Sequence, residues 1–137
     1  MNNKDTKETT PIRIIIQAFY GNRTMTWIHP EQMDRIILGI LTDEYTLKDE
    51  EIDRSIIHIP GSDHLVLVYN KYQEEREREY KEERFQKSGY VMKPLASIPE
   101  LDIKLYSRCL MCRMNADGEF ENIQEEDKDM VLKYLAR

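Results

Sequence analysis

The chain has 137 residues, 40% of them hydrophobic and 34% charged, with a formal net charge of −6. That size suits one domain with its own core, and that balance argues against a disordered chain. Net acidity argues against a general nucleic-acid binder, because phosphate affinity comes from clustered Lys and Arg. It leaves room for a local basic stripe, and it suits approach to a basic partner surface.

Residues 1–10 are polar and are expected to form a disordered tail, not a signal peptide. No apolar run approaches the length of a membrane span. From Ile12 to Tyr20 the sequence is strongly β-prone with apolar residues on both faces, which predicts an interior strand. Gly21-Asn22 marks a turn, and Thr24–Ile28 is expected to pair back. Pro30 suits the first position of a helix. Met33, Ile36, Ile37, Ile40 and Leu41 follow with the spacing of one buried helical face.

Two runs of β-branched residues, Ile56–Ile59 and His64–Tyr69, flank Pro60-Gly61-Ser62-Asp63 and predict a second hairpin. Residues 71–87, KYQEEREREYKEERFQK, contain no Gly, Pro or β-branched residue. Glu74 with Arg78, Glu77 with Lys81 and Glu83 with Lys87 are i, i+4 pairs in the favourable order, and Ser88-Gly89 supplies a stop. Tyr69, Tyr72 and Tyr80 share a stripe with Arg76, while Phe85 lies off it. A helix this polar is either solvated or meets a partner.

Residues 91–100 read as a connector with two prolines, and Leu101–Met114 as one long strand. Asn115-Ala116-Asp117-Gly118 is a hairpin turn signal, with Glu119–Ile123 returning. Asn122 with Glu125 resembles a capping pair for a last helix, whose apolar face is Met130, Val131, Tyr134 and Leu135. The expected fold is therefore α+β: an antiparallel sheet of three β-hairpin–helix units, with the helices mainly on one face. The tail over 1–10 would precede a single domain over 11–137.

No catalytic motif is visible. The serines lack a G-x-S-x-G frame, and there is neither a P-loop nor a dinucleotide fingerprint. Cys109-Leu110-Met111-Cys112 invites a metal reading with His58 and His64, since zinc needs four ligands. The two thiols sit three apart in a predicted strand, so they point to opposite faces. Their Cα atoms would lie roughly 10 Å apart, too far for a disulfide. Buried thiols in a reducing cytoplasm are the expectation, with no metal and no cofactor.

Two acidic tracts are candidate partner-binding surfaces. One holds Asp43, Glu44, Asp49, Glu50, Glu51 and Asp53; the other holds Glu119, Glu121, Glu125, Glu126, Asp127 and Asp129. The competing structural reading is a solvated face that complements helix dipoles. The charged helix, through Tyr72, Arg76, Arg78, Tyr80 and Arg84, is a third candidate.

In size and charge the chain resembles small, acidic, motif-free proteins encoded by phages and mobile elements. Among these are anti-CRISPR and antirestriction proteins, some of which inhibit host defence enzymes by direct binding. The resemblance implies a non-enzymatic protein-binding module, an acidic inhibitor of a nucleic-acid-binding enzyme. Its partner would be a basic protein, with no direct nucleic-acid or membrane contact. A homodimer through the tyrosine stripe is a further expectation. The alternative is a small enzyme or ligand-binding domain whose site gathers His58, His64, Tyr106 and Arg108. A metal-binding regulator is the third class.

Overall fold

The computed structural model describes residues 10–19, 22–33, 35 and 53–135. The tail over 1–9, the helix expected through Ile36, Ile37, Ile40 and Leu41, and the first acidic tract apart from Asp53 lie outside the described residues.

Ile12–Phe19 forms β1 and Asn22–Ile28 forms β2. They pair antiparallel from Ile12↔Ile28 to Gln17↔Arg23, then slip by one residue before Phe19↔Asn22, a bulge that adds twist before the turn. Pro30–Gln32 makes a 3-10 turn with Pro30 at its start, where its missing N–H costs nothing. β3 (Arg54–His58) and β4 (Leu65–Asn70) form the second predicted hairpin. Later in the chain come β5 (Ala96–Ile98), β6 (Ile103–Leu105), β7 (Cys109–Met114) and β8 (Phe120–Glu121).

The main sheet runs β2-β1-β7-β4-β3, with β8 added to the end of β7, and every pairing in it is antiparallel. β7, late in sequence, is thus inserted between the first two hairpins. Its side chains alternate between two cores. Cys109 and Met111 join Ile15 and Leu67 on one face, beneath Ala96, Ile98, Leu105, Val131 and Tyr134. Leu110 and Cys112 join Ile14, Ile16, Val66 and Val68 on the other, with Met33 against them. Continuous apolar runs in β1 and β4 follow from this, since a strand covered on both sides has no polar face to keep. Each such Leu or Ile contributes roughly 1.5–3 kcal/mol by leaving water.

Helix α1 (Lys71–Ser88) begins where β4 ends. The Asn70 side chain caps it, its Oδ1 accepting from the Tyr72 amide at 3.1 Å and from the Asp53 amide at 3.1 Å. Gly89 stops it with φ 73, a left-handed conformation that glycine adopts without strain, and its N–H donates to the Phe85 carbonyl at 2.8 Å. The last helix, α2 (Lys128–Tyr134), follows a 3-10 turn over Glu125–Asp127. It packs Val131 and Tyr134 onto the same face as β5 and β6.

Three expectations are corrected. The predicted strand Leu101–Met114 is two strands in two sheets. β6 pairs with β5 in a separate ribbon, and the chain breaks at Tyr106-Ser107-Arg108 before β7 joins the main sheet. The connector over 91–100 contains β5, so a fourth hairpin interrupts the three-unit rhythm. Asn122 does not cap α2. Its Oδ1 accepts from the Arg13 amide at 2.7 Å, and Asp127 serves the helix start by accepting from the Gln124 amide at 2.8 Å. Among the described residues no helix is long and apolar enough to cross a membrane.

Candidate functional site

Helix α1 divides into a foot held by the body and a tip that is not. At the foot, Gln73 and Glu74 are the buried residues. Glu74 is a charged side chain almost closed to water. It is satisfied by the amides of Tyr106 at 3.0 Å and Ser107 at 2.9 Å, and by the Arg78 guanidinium at 3.0 Å. A carboxylate buried this way is stable only because its oxygens are occupied by donors. The same bonds draw the 106–107 backbone away from strand pairing, which explains the break between β6 and β7.

One turn on, Arg78 donates to the Lys104 carbonyl, and the Arg78 and Lys81 cations lie 5.4 Å and 5.0 Å from the centre of the Tyr106 ring. From Glu82 to Tyr90 every residue is exposed. Phe85 is 56% exposed, Tyr90 52% and Val91 67%. These three border a groove of about 280 Å³ with Lys81, Glu82 and Gln86.

The tip has contacts of its own. Arg84 lies between two rings, 5.6 Å from Tyr80 and 5.3 Å from Tyr90, and donates to the Tyr80 hydroxyl at 3.0 Å. Lys87 pairs with Glu83 at 2.7 Å, which holds the Glu83 carboxyl below its ordinary pKa through the hydrogen bond and the charge. The Ser88 hydroxyl donates to the Arg84 carbonyl at 2.9 Å. Of the residues predicted on this helix, Tyr80 and Arg84 build the tip. Arg78 anchors the foot, Tyr72 is exposed near the start, and Arg76 is exposed in the middle.

The second acidic tract forms a face around α2. Glu119, Glu121, Glu125, Glu126 and Asp129 are exposed. Asp127 is turned inward, with Arg113 donating to both of its oxygens at 2.8 Å and 2.9 Å. Beside this face lies a groove of about 200 Å³ between α2 and the β1–β2 hairpin. Met25 and Leu132 are exposed at its rim, while Ile15, Ile123 and Val131 make its floor. Of the first tract, Asp53 is half-buried, and its carbonyl accepts from the Lys71 amide at 2.9 Å at the foot of α1.

The two thiols lie in different cores on opposite faces of the sheet. Burial pushes each up to about 12, helped at Cys109 by the Glu74 charge and opposed at Cys112 by Arg54. Such thiols are poor nucleophiles and poor ligands. Among the described residues no group of three or more His, Cys, Asp or Glu is placed to hold a metal ion.

His58, His64, Tyr106 and Arg108 are not brought together. Ile59 pairs with Leu65, so residues 60–64 make an odd connection and His58 lies opposite Val66. Both histidines therefore sit at the Leu65 end of β4. Tyr106 and Arg108 precede β7, whose Leu110 lies opposite Val68 near the other end. About five strand residues, roughly 17 Å, separate the two pairs.

Comparison with protein-family models, curated proteins and solved structures gives no match.

Proposed function

We propose that this chain is a non-enzymatic protein-binding module that acts by occupying a partner's surface. The observation that carries the reading is the tip of α1. An apolar cluster of Phe85, Tyr90 and Val91 stands in water at the end of a helix, and Arg84 beside it lies between the Tyr80 and Tyr90 rings. Exposed aromatic side chains clustered with Arg match the residue types that dominate binding energy at interfaces. Order before binding matters as much, because a tip already fixed loses little conformational entropy when a partner closes on it.

The finer reading is an acidic inhibitor of a nucleic-acid-binding enzyme, of the anti-CRISPR or antirestriction type. Its support is the net charge of −6 and the exposed carboxylates Glu119, Glu121, Glu125, Glu126 and Asp129. A basic groove made for phosphates would attract such a face and hold it in a salt-dependent way.

The test is capture from a bacterial lysate by the tagged chain, washed at low and then high salt and read by mass spectrometry. A basic nucleic-acid enzyme retained at low salt and released at high salt is expected. Its retention should fall when Glu125, Glu126 and Asp129 are changed to Lys. Retention of the same protein by wild type and variant alike would remove the inhibitor reading.

A further inference from the structure

The main sheet ends at β2 on one side and at β3 on the other. Among the described residues β2 pairs only with β1, so no described strand lies against its outer row of backbone N–H and C=O groups. Such a row is a template for another strand, and edges that stay single are blunted by Pro, Lys or short length. β2 is seven residues long, NRTMTWI, with no Pro, Gly or Lys. Its bulge lies at the turn end, between Gln17 and Phe19 of β1, which leaves Arg23 to Ile28 in regular register. Met25 and Trp27 stand in water on this strand, 53% and 58% exposed.

The order of residues in β2 says which strand fits. Seven residues pair antiparallel along their whole length with a copy of themselves in one register only, centred on Met25. That register sets Met25 against Met25, Thr24 against Thr26 twice and Arg23 against Trp27 twice. Thr–Thr pairs of this kind exchange hydrogen bonds, and directly opposed like charges are the pairs that destabilise. Here the one charge of the strand meets an indole ring and never its own copy. Arg23 lies along the sheet, donating to the Gln17 side chain at 3.2 Å and to the Leu135 carbonyl at 3.5 Å, so the second copy's ring would cover its aliphatic stem. Arg13, opposite Trp27 on β1, lies 5.5 Å from the centre of that ring and leaves most of it exposed. The other edge shows the contrast. β3 has five residues, and its own full-length register would put Arg54 against His58 twice, two basic side chains.

We propose that two copies of this chain join along β2, related by a two-fold axis at Met25, so that one antiparallel sheet runs through both. The contact is isologous and closes at two chains. It shares no residue with the α1 tip, so each dimer presents two tips to a partner, a bivalent arrangement.

Sedimentation velocity and disulfide trapping test it. Wild type is expected to sediment as a two-chain species and nothing larger. Met25→Lys brings two like charges face to face at the axis and should weaken association at least about tenfold. Met25 is exposed, so circular dichroism and the thermal midpoint should stay as in wild type. Trapping reads the register. Directly opposed Cα atoms lie about 4.5–5.5 Å apart, within disulfide reach, and diagonal neighbours about 7–8 Å apart, beyond it. Cys109 and Cys112 are buried and stay out of the reaction. Under mild oxidation Met25→Cys should give a covalent dimer, and so should an equimolar mixture of Thr24→Cys and Thr26→Cys. Thr24→Cys alone should give little.

A wild type that stays monomeric at about 100 μM would overturn the proposal. So would a dimer that Met25→Lys leaves intact, or trapping of Thr24→Cys alone as strong as that of the mixture. A dimer lost in Phe85→Asp and kept in Met25→Lys would move the contact to the α1 tip.

Discussion

In β4, Val66, Leu67 and Val68 are closed to water on both faces of the sheet. In the last two turns of α1 every side chain is exposed, Phe85 included. The two regions are held by different physics. The sheet draws its stability from apolar area removed from water on both faces. The arm draws its order from local contacts: an Asn70 cap, a Gly89 stop, a Lys87–Glu83 pair and an Arg84 clamp. Each of these contributes a fraction of a kcal/mol to about 1 kcal/mol. The lesson is that order and burial are separable, and that a segment ordered without burial keeps its apolar side chains available.

The sharpest way to break this comparison is truncation in each region. Leu110→Ala, in the middle of β7, should cost about 3–4 kcal/mol in urea unfolding, the transfer loss plus the cavity left behind. Phe85→Ala should change stability by less than about 0.5 kcal/mol, although the side chain removed is larger. Comparable losses at the two sites would mean that the tip is packed.

The junction between the regions gives the next effect. Glu74→Ala leaves the Tyr106 and Ser107 amides without their acceptor and releases Arg78, which should cost about 2–3 kcal/mol. Glu75→Ala, one residue on and exposed, should be close to neutral in the same denaturation experiment.

A smaller effect separates core from arm by pH. Both thiols have folded-state values raised from 9.0 to about 12 by burial. Between those two values the folded state holds protons that the unfolded state has lost. The thiols' contribution is therefore complete below pH 9 and declines as pH rises towards 12. Unfolding free energies from urea titration should begin to fall above pH 9, by roughly 1 kcal/mol per thiol within the first pH unit. A thiol reagent should react with neither cysteine until the protein unfolds.

The smallest effect concerns the link between α2 and the 3-10 turn over Pro99–Leu101. The Tyr134 hydroxyl donates to Glu100 at 2.7 Å and Lys133 donates at 3.1 Å. The Tyr134 bond first, then a backbone bond and Lys133, hold the Glu100 carboxyl below its ordinary value. Stability from this group is present above the ordinary carboxylate range and is lost as pH falls through the lowered value. Tyr134→Phe should move the Glu100 titration upward in carboxylate NMR, and an unchanged titration would remove that hydrogen bond from the account.

Much of the fold was legible because local signals and tertiary demands agree in it. The β-prone run from Ile12, the Pro60-Gly61 turn, the polar helix with its Gly89 stop and the Asn115 turn are all legible from residue type and spacing. What was hidden depends on contacts between residues distant in sequence. Tyr106-Ser107 reads as strand, and only a carboxylate 32 residues earlier takes its amides. Asp127 reads as one more solvated acid, and Arg113, 14 residues earlier, helps turn it inward. Asn122 carries a capping signature that its bond to Arg13 overrides.

Of the candidate site, the sequence marked the helix and the second acidic tract. It did not mark Phe85, Tyr90 and Val91 as a cluster, because they lie on either side of the helix stop. The signal available was Gly89 itself, which folds the chain back and places residues 90 and 91 beside the last helical turn.

The central claim is that the tip of α1 is ordered before it meets a partner. Amide hydrogen exchange on the free chain tests this directly. The amides of residues 82–89 should exchange well below unfolded-chain rates yet faster than those of β4 and β7, and Arg84→Ala should speed the first group and leave the second unchanged. Exchange of 82–89 at unfolded-chain rates in the wild-type chain would contradict it.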